Sequence, residues 1–491
     1  MTFALAAILG FSIATVIYCF SEGISGNDFW WHIKVGEWIV ENRTVPQTDI
    51  FSWYGTAKQI PWTPHEWLAD IILYLIHAQW NELGVFLFSL SSALVMMGLL
   101  WQDARNNMER NILSGGLFFV LLAVTTSMFF YGRPHMFSYF LLWGELKILY
   151  RFIEEPSYKG IMLLPLLSAI WSNLHGGSAA LSYVLCAVFL VIGAMNVKIG
   201  RIESKSLEKQ AWLRLLIVTL CTAAAIMLNP VGVDVFLYPY RNLGDQLQMT
   251  LISEWRSPDA KKMGELLLFF FPIVLMMLGF LAHEKQIRLI DLAVMGLFVF
   301  MFVRSVRFIM LWYIAAVFCA FPYMPVVRVK PVTPREETRM TAAVLVLVAL
   351  LIGTCSLRIR QTTEKDQLIS ETMSDEAVNA VKQDAPERLF NDYNLGEAMI
   401  YHEIPVYFDA RADLYAYDGL LADGVSLMFL EQANSEAAFS FVDVSGLIEK
   451  YGFDNILILK SRALYSYLIN HPDAFACLYE DEQIGYFTVI R

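Results

Sequence analysis

The sequence predicts a mainly α-helical, polytopic membrane protein of about eleven transmembrane helices with a small C-terminal α/β domain. Three observations predict it. Hydrophobic residues fill 57% of the 491 positions and charged residues 17%, against about 25% charged in soluble domains. Mean hydropathy is +0.49. Apolar runs of helix length recur as far as residue 356, and after residue 387 the pattern changes to short apolar runs between turn residues.

A crossing helix needs about 20 apolar residues. Such runs lie near 2–20, 82–101, 112–130, 135–151, 160–173, 177–197, 211–228, 265–282, 289–303, 307–325 and 340–356. Residues 2–20 lack a basic n-region and a small-residue cleavage site, so an uncleaved first span is expected rather than a signal peptide. Residues 66–79 are apolar but short and acidic at the start, which fits a helix lying in the interface.

Orientation follows from that choice. With the N-terminus in the cytoplasm, the inner loops hold Arg105, Arg110, Arg151, Lys159, Lys198, Arg201, Lys205, Lys209, Arg214, Lys285, Arg288, Arg328, Lys330, Arg335 and Arg339. This satisfies the positive-inside rule, and a crossing at 66–79 would invert every later loop and break it. The expected domains are a transmembrane module over 1–356 with an outer loop at 21–81, a linker at 357–387, and an extracytoplasmic α/β domain at 388–491. Within that domain, strands are expected at 388–391, 406–409, 455–459 and 486–490, and helices at 396–403 and 464–470.

Composition also excludes functions. Acidic residues concentrate near the C-terminal end, the net charge is −11, and no basic face or arm for nucleic acid is present. The six cysteines form no CxxC pair, which argues against a disulfide framework or a zinc site. There is no GxGxxG, no P-loop and no His/Glu spacing for a tightly held metal, so neither cofactor nor metal is expected.

The expected topology sends the polar clusters to the outer ends of the helices. Asp28 and His32 are four apart, so they share a helical face beside Trp30, Trp31, Trp38, Trp53, Trp62 and Trp67, residues typical of a membrane–water boundary. A carboxylate under an aromatic roof can serve as a general base; the alternative is an ordinary solvated pair. Glu66 either orients a substrate hydroxyl or simply favours a helix N-terminus. Arg133 and His135 flank Pro134, and Arg304 and Arg307 are three apart. Arginine beside hydrocarbon either binds a phosphate bidentately or snorkels to lipid headgroups. Asn173 and His175, before Gly176 and Gly177, offer hydrogen bonds to a sugar or phosphate, or else cap a tight turn. Asp409, Arg411 and Asp413 fit a structural ion pair better than a catalytic set.

This layout of a first span, an acidic outer loop, an interfacial helix, many further spans and a soluble outer domain resembles the GT-C membrane glycosyltransferases. The stretches Asp28-Phe29-Trp30-Trp31-His32, Gly36-Glu37-Trp38-Ile39, Pro46-Gln47-Thr48-Asp49, His65-Glu66-Trp67, Arg133-Pro134-His135, Asn173-Leu174-His175-Gly176-Gly177 and Asp409-Ala410-Arg411-Ala412-Asp413 are similar to a group of bacterial multi-pass proteins with a DxWWH-type first outer loop. The resemblance implies transfer of a sugar from a polyprenyl-phosphate donor in the cell membrane to a glycan, lipid or protein acceptor on the extracytoplasmic face. The first-loop base maps to Asp28. Some GT-C enzymes carry adjacent acids there, whereas Asn27 precedes Asp28 here. Two rival readings are a transporter or flippase of lipid-linked saccharides, which expects polar groups at mid-membrane and an internal repeat, and a non-catalytic cell-envelope scaffold.

Overall fold

The computed structural model describes residues 2–24, 28–108, 112–242, 247–248, 252–284, 286–324, 333–364, 368–369, 371–416, 419–431 and 442–490. Gly26 and Asn27 of the first loop, and Arg110, Lys285, Arg328 and Lys330 of the basic loops, lie outside the described residues. The chain is mainly helical and divides into two compact units.

The first unit comprises Met1–Ser25, Gln79–Pro239 and Ile252–Ile369. Among the described residues, four helices are long and apolar enough to cross a membrane: Trp67–Met108, Ile112–Phe129, Lys159–Ala194 and Met263–Ala282. The other apolar runs are also helical, including Thr2–Phe20, His135–Glu154, Lys209–Ala225, Leu289–Arg304 and Ile309–Cys319. The Ile309–Cys319 helix is apolar all round and buried at nearly every position, as a core helix must be. It packs on 112–129, 135–154 and 289–304, while 164–194 packs on 209–225.

Two long helices contain breaks. In Trp67–Met108 the backbone leaves helical values at Asn81, with φ 50° and ψ −153°, a region that residues other than glycine seldom adopt. The expected interfacial segment 66–79 and span 82–101 lie on either side of it. In Leu164–Ala194 the break is at His175, with φ −158° and ψ 74°, where the sequence suggests a turn.

The second unit comprises Gly26–Ala78, Tyr240–Leu251 and Ser370–Arg491, so the first loop and the C-terminal part fold together. Its sheet runs in the order Leu389–Asn391, Asn455–Leu459, Ile484–Val489, Phe475–Glu480; the first pair is parallel and the others antiparallel. Asn455–Leu459 is buried at four of its five positions, matching its unbroken apolar run.

The expected strand at 406–409 is corrected: among the described residues its pairing is a single bridge between Val406 and Ser52. The Asn391 side chain accepts from the Tyr407 N–H at 2.7 Å and donates to the Phe408 carbonyl at 2.8 Å. A side chain thus satisfies the backbone that a ladder would have paired. The Phe475–Glu480 strand, mostly exposed, carries too weak an apolar pattern to be read in advance.

The first-loop helix Asp28–Asn42 crosses the 67–78 segment at Gly36. A Cβ there would lie 2.2 Å from the Asp70 carbonyl oxygen, so only glycine permits the crossing. The same helix packs on Gly396–Tyr401, with Trp30 and Tyr401 ring centroids 4.4 Å apart. Trp30, Trp31 and Trp62 are buried in this unit's core. Their role is therefore packing, a correction to the boundary role their chemistry suggests.

Candidate functional site

Each unit holds one cluster of the residues singled out by the sequence. In the second unit, Asp28 is the first residue of its helix and half-buried, where the helix dipole favours a carboxylate. One turn on, His32 is buried. Its Nδ1 lies 2.7 Å from Asp70 Oδ1, and its Nε2 is 3.8 Å from Glu66 Oε2. Glu66 also faces His65 Nε2 at 3.7 Å. Trp31 lies against the His32 ring, with centroids 3.7 Å apart. A histidine held between two carboxylates has a fixed orientation and a ready route for a proton. Asp70 is the partner that orients His32.

The second unit also contains an ion cluster with almost no exposure. Arg411 donates from Nε to Asp409 Oδ1 at 2.8 Å and from Nη2 to Asp409 Oδ2 at 2.7 Å. The same Nη2 reaches Asp49 Oδ1 at 3.0 Å. Tyr415 donates to Asp409 Oδ2 at 2.5 Å, and the guanidinium lies over the Trp62 ring at 4.7 Å. Burial works against the Arg411 charge, but Asp409, Tyr415 and Asp49 keep it cationic.

In the first unit, Arg133 Nη1 donates to Glu254 Oε1 at 3.0 Å, and Tyr131 donates to the same oxygen at 3.0 Å. Arg307 lies over Trp255, with its Cζ 5.9 Å from the ring centroid. Burial disfavours the Glu254 charge, but Arg133 and Arg307 outweigh it and hold the carboxyl at about 2. His135 donates from Nε2 to the Phe129 carbonyl at 2.8 Å, and its ring is 6.5 Å from that of His175. His175 Nδ1 is 2.7 Å from both Ser138 Oγ and Ser178 Oγ. Arg133, His135, His175 and Arg307 therefore come together, with Glu254, to which the sequence assigns no role, as their counter-charge. Its signal was the Glu254-Trp255-Arg256 run at an outer loop, which carries no spacing of its own.

Two candidates fall elsewhere. The Asn173 amide donates to the Ala169 and Leu228 carbonyls at 2.7 and 2.8 Å, a helix-joining role. Arg304 ends its helix and is exposed, and extended Ser305 separates it from the 3-10 turn that carries Arg307. The shared helical face expected of Arg304 and Arg307 is thus corrected. Among the described residues, no three His, Cys, Asp or Glu side chains are grouped to hold a metal ion.

The Glu254 pair makes a pH prediction. A carboxyl with a depressed folded pKa adds stability above its unfolded pKa and loses it as pH falls through the folded one. The excess thermal stability of wild type over Glu254→Gln is expected to hold from neutral pH to about 4.5 and to fade towards pH 2. An excess undiminished at about pH 2 would show that the carboxylate charge contributes nothing.

A helical module with membrane-length apolar helices, and a second unit built from the first loop and the C-terminal α/β segment, define a class of integral membrane folds. The crystal structure of the Archaeoglobus fulgidus oligosaccharyltransferase in the apo form is similar over 93% of this chain and 69% of that one, with a TM-score of 0.56 and 10% sequence identity. At that identity the likeness shows a common fold. No family model matches the sequence, and no curated protein matches it.

Proposed function

We propose that the protein is a GT-C-type membrane glycosyltransferase that moves a sugar from a polyprenyl-phosphate donor to an acceptor hydroxyl on the extracytoplasmic face. The observation that carries this reading is the Asp28 carboxylate, one helical turn from the His32–Asp70–Glu66 cluster, in a fold similar to that of an oligosaccharyltransferase. Asp28 takes the proton of the acceptor hydroxyl. The hydroxyl oxygen bonds to the anomeric carbon as the bond to the phosphate oxygen breaks, and the phosphate leaves with the electron pair.

Arg133 and Arg307 hold the departing phosphate, with His135, fixed by its bond to the Phe129 carbonyl, packed beside them. Glu254 is then the counter-ion that the phosphate replaces on Arg133. Glu66 and His175 bind sugar or acceptor. The test is to purify the protein, supply a panel of polyprenyl-phosphate-linked sugars, and measure release of free carrier phosphate. No release from any donor refutes the reading.

The topology that goes with it has about eleven crossings, a cytoplasmic N-terminus and an extracytoplasmic C-terminal part. Cys477 is exposed in that part. In a variant keeping only this cysteine, a membrane-impermeant maleimide is expected to label intact cells. Labelling that requires lysis would reverse the orientation.

A further inference from the structure

Glu397 is absent from the candidates read from sequence. It is 2% exposed, and its Oε2 has no hydrogen-bond partner. It follows Gly396, where a Cβ would lie 2.6 Å from the Phe408 carbonyl oxygen, so this backbone is pressed against the 406–411 segment. Its short helix packs on Asp28–Asn42. The charged groups facing it are Asp28 from that helix and Asp409 from the 406–411 segment, and Asp409 is already paired with Arg411. Asp413 acts with these acids on neighbouring Tyr393.

Burial first, and Asp28 next, push the Glu397 carboxyl well above the usual carboxylate range. Both effects favour the protonated form of Glu397 beside Asp28. A buried oxygen without a partner destabilises a fold and marks a place where a ligand atom completes the bonding.

We propose that Glu397 is a substrate-contacting carboxyl of the Asp28 site, supplied by the C-terminal part of the chain, and that its Oε2 hydrogen-bonds a hydroxyl of a polyol ligand. This rests on the glycosyltransfer reading and deepens it by giving the hydroxyl a second contact. Asp28 is the group that receives the proton; Glu397 holds the oxygen in line and keeps its own proton.

The test uses the full-length protein. In infrared difference spectra at neutral pH, wild type minus Glu397→Gln is expected to show a carboxylic-acid carbonyl band. That band is expected to shift on adding an alkyl glucoside or a polyprenyl-phosphate-linked hexose. With a donor that turns over, Glu397→Leu is expected to lose roughly 10- to 100-fold in kcat/KM, and Glu397→Gln, which keeps a hydrogen-bonding group there, to lose less. No band, a band unmoved by either probe, or wild-type turnover by Glu397→Leu would overturn the proposal. A band that shifts with the glucoside while no donor turns over would sink glycosyl transfer and leave the Glu397 contact standing.

Discussion

Asp28→Asn is expected to lower turnover by roughly 10²- to 10⁴-fold, the range a positioned general base supplies. Asparagine keeps the shape of the side chain and still suits a helix N-terminus, so the unfolding temperature should stay close to that of wild type. KM should change little, because the lost interaction is a proton transfer made in the transition state. Carrier-phosphate release and thermal unfolding, measured on the same preparation, separate loss of chemistry from loss of fold. Near-wild-type release by a folded Asp28→Asn protein would remove Asp28 from the mechanism.

Arg411→Met is expected to be the most destabilising single change in the second unit. It leaves Asp409 and Asp49, both fully buried, facing each other without a cation. Breaking a buried pair in this way costs about 3–5 kcal/mol. Arg411→Lys should rescue little, because an ammonium cannot make the paired Nε and Nη2 contacts to Asp409 while reaching Asp49. Thermal unfolding and limited proteolysis of the C-terminal part read the effect. A loss below about 1 kcal/mol would mean that water or a shifted side chain replaces the guanidinium.

Local features of the fold were legible in the sequence. Long apolar runs gave the helices, and the short acidic run at 66–79 gave the segment ahead of the Asn81 break. The loop at 173–177 marked the interruption at His175. Long-range pairings were not legible. Nothing near Asp49 announces a partner 362 positions away, and Asp409-Ala410-Arg411 reads equally well as a self-contained ion pair. Glu397 is not legible because a lone carboxyl has no period or spacing, and Glu254, though part of an outer polar run, shows no role until distant segments meet. The 406–409 run failed for the opposite reason: it has a strand's composition, but Asn391 supplies its hydrogen bonds.

The Asp49–Arg411–Asp409 cluster also constrains how the protein is made. Asp49 leaves the ribosome 362 residues ahead of its cation. The first loop must therefore wait, with Trp62 uncovered on the side that Arg411 will occupy, until residue 411 has been synthesised. A nascent chain halted before residue 409 leaves Asp49 without its cation, and quality-control proteases should treat it as damaged rather than as a shorter folded protein.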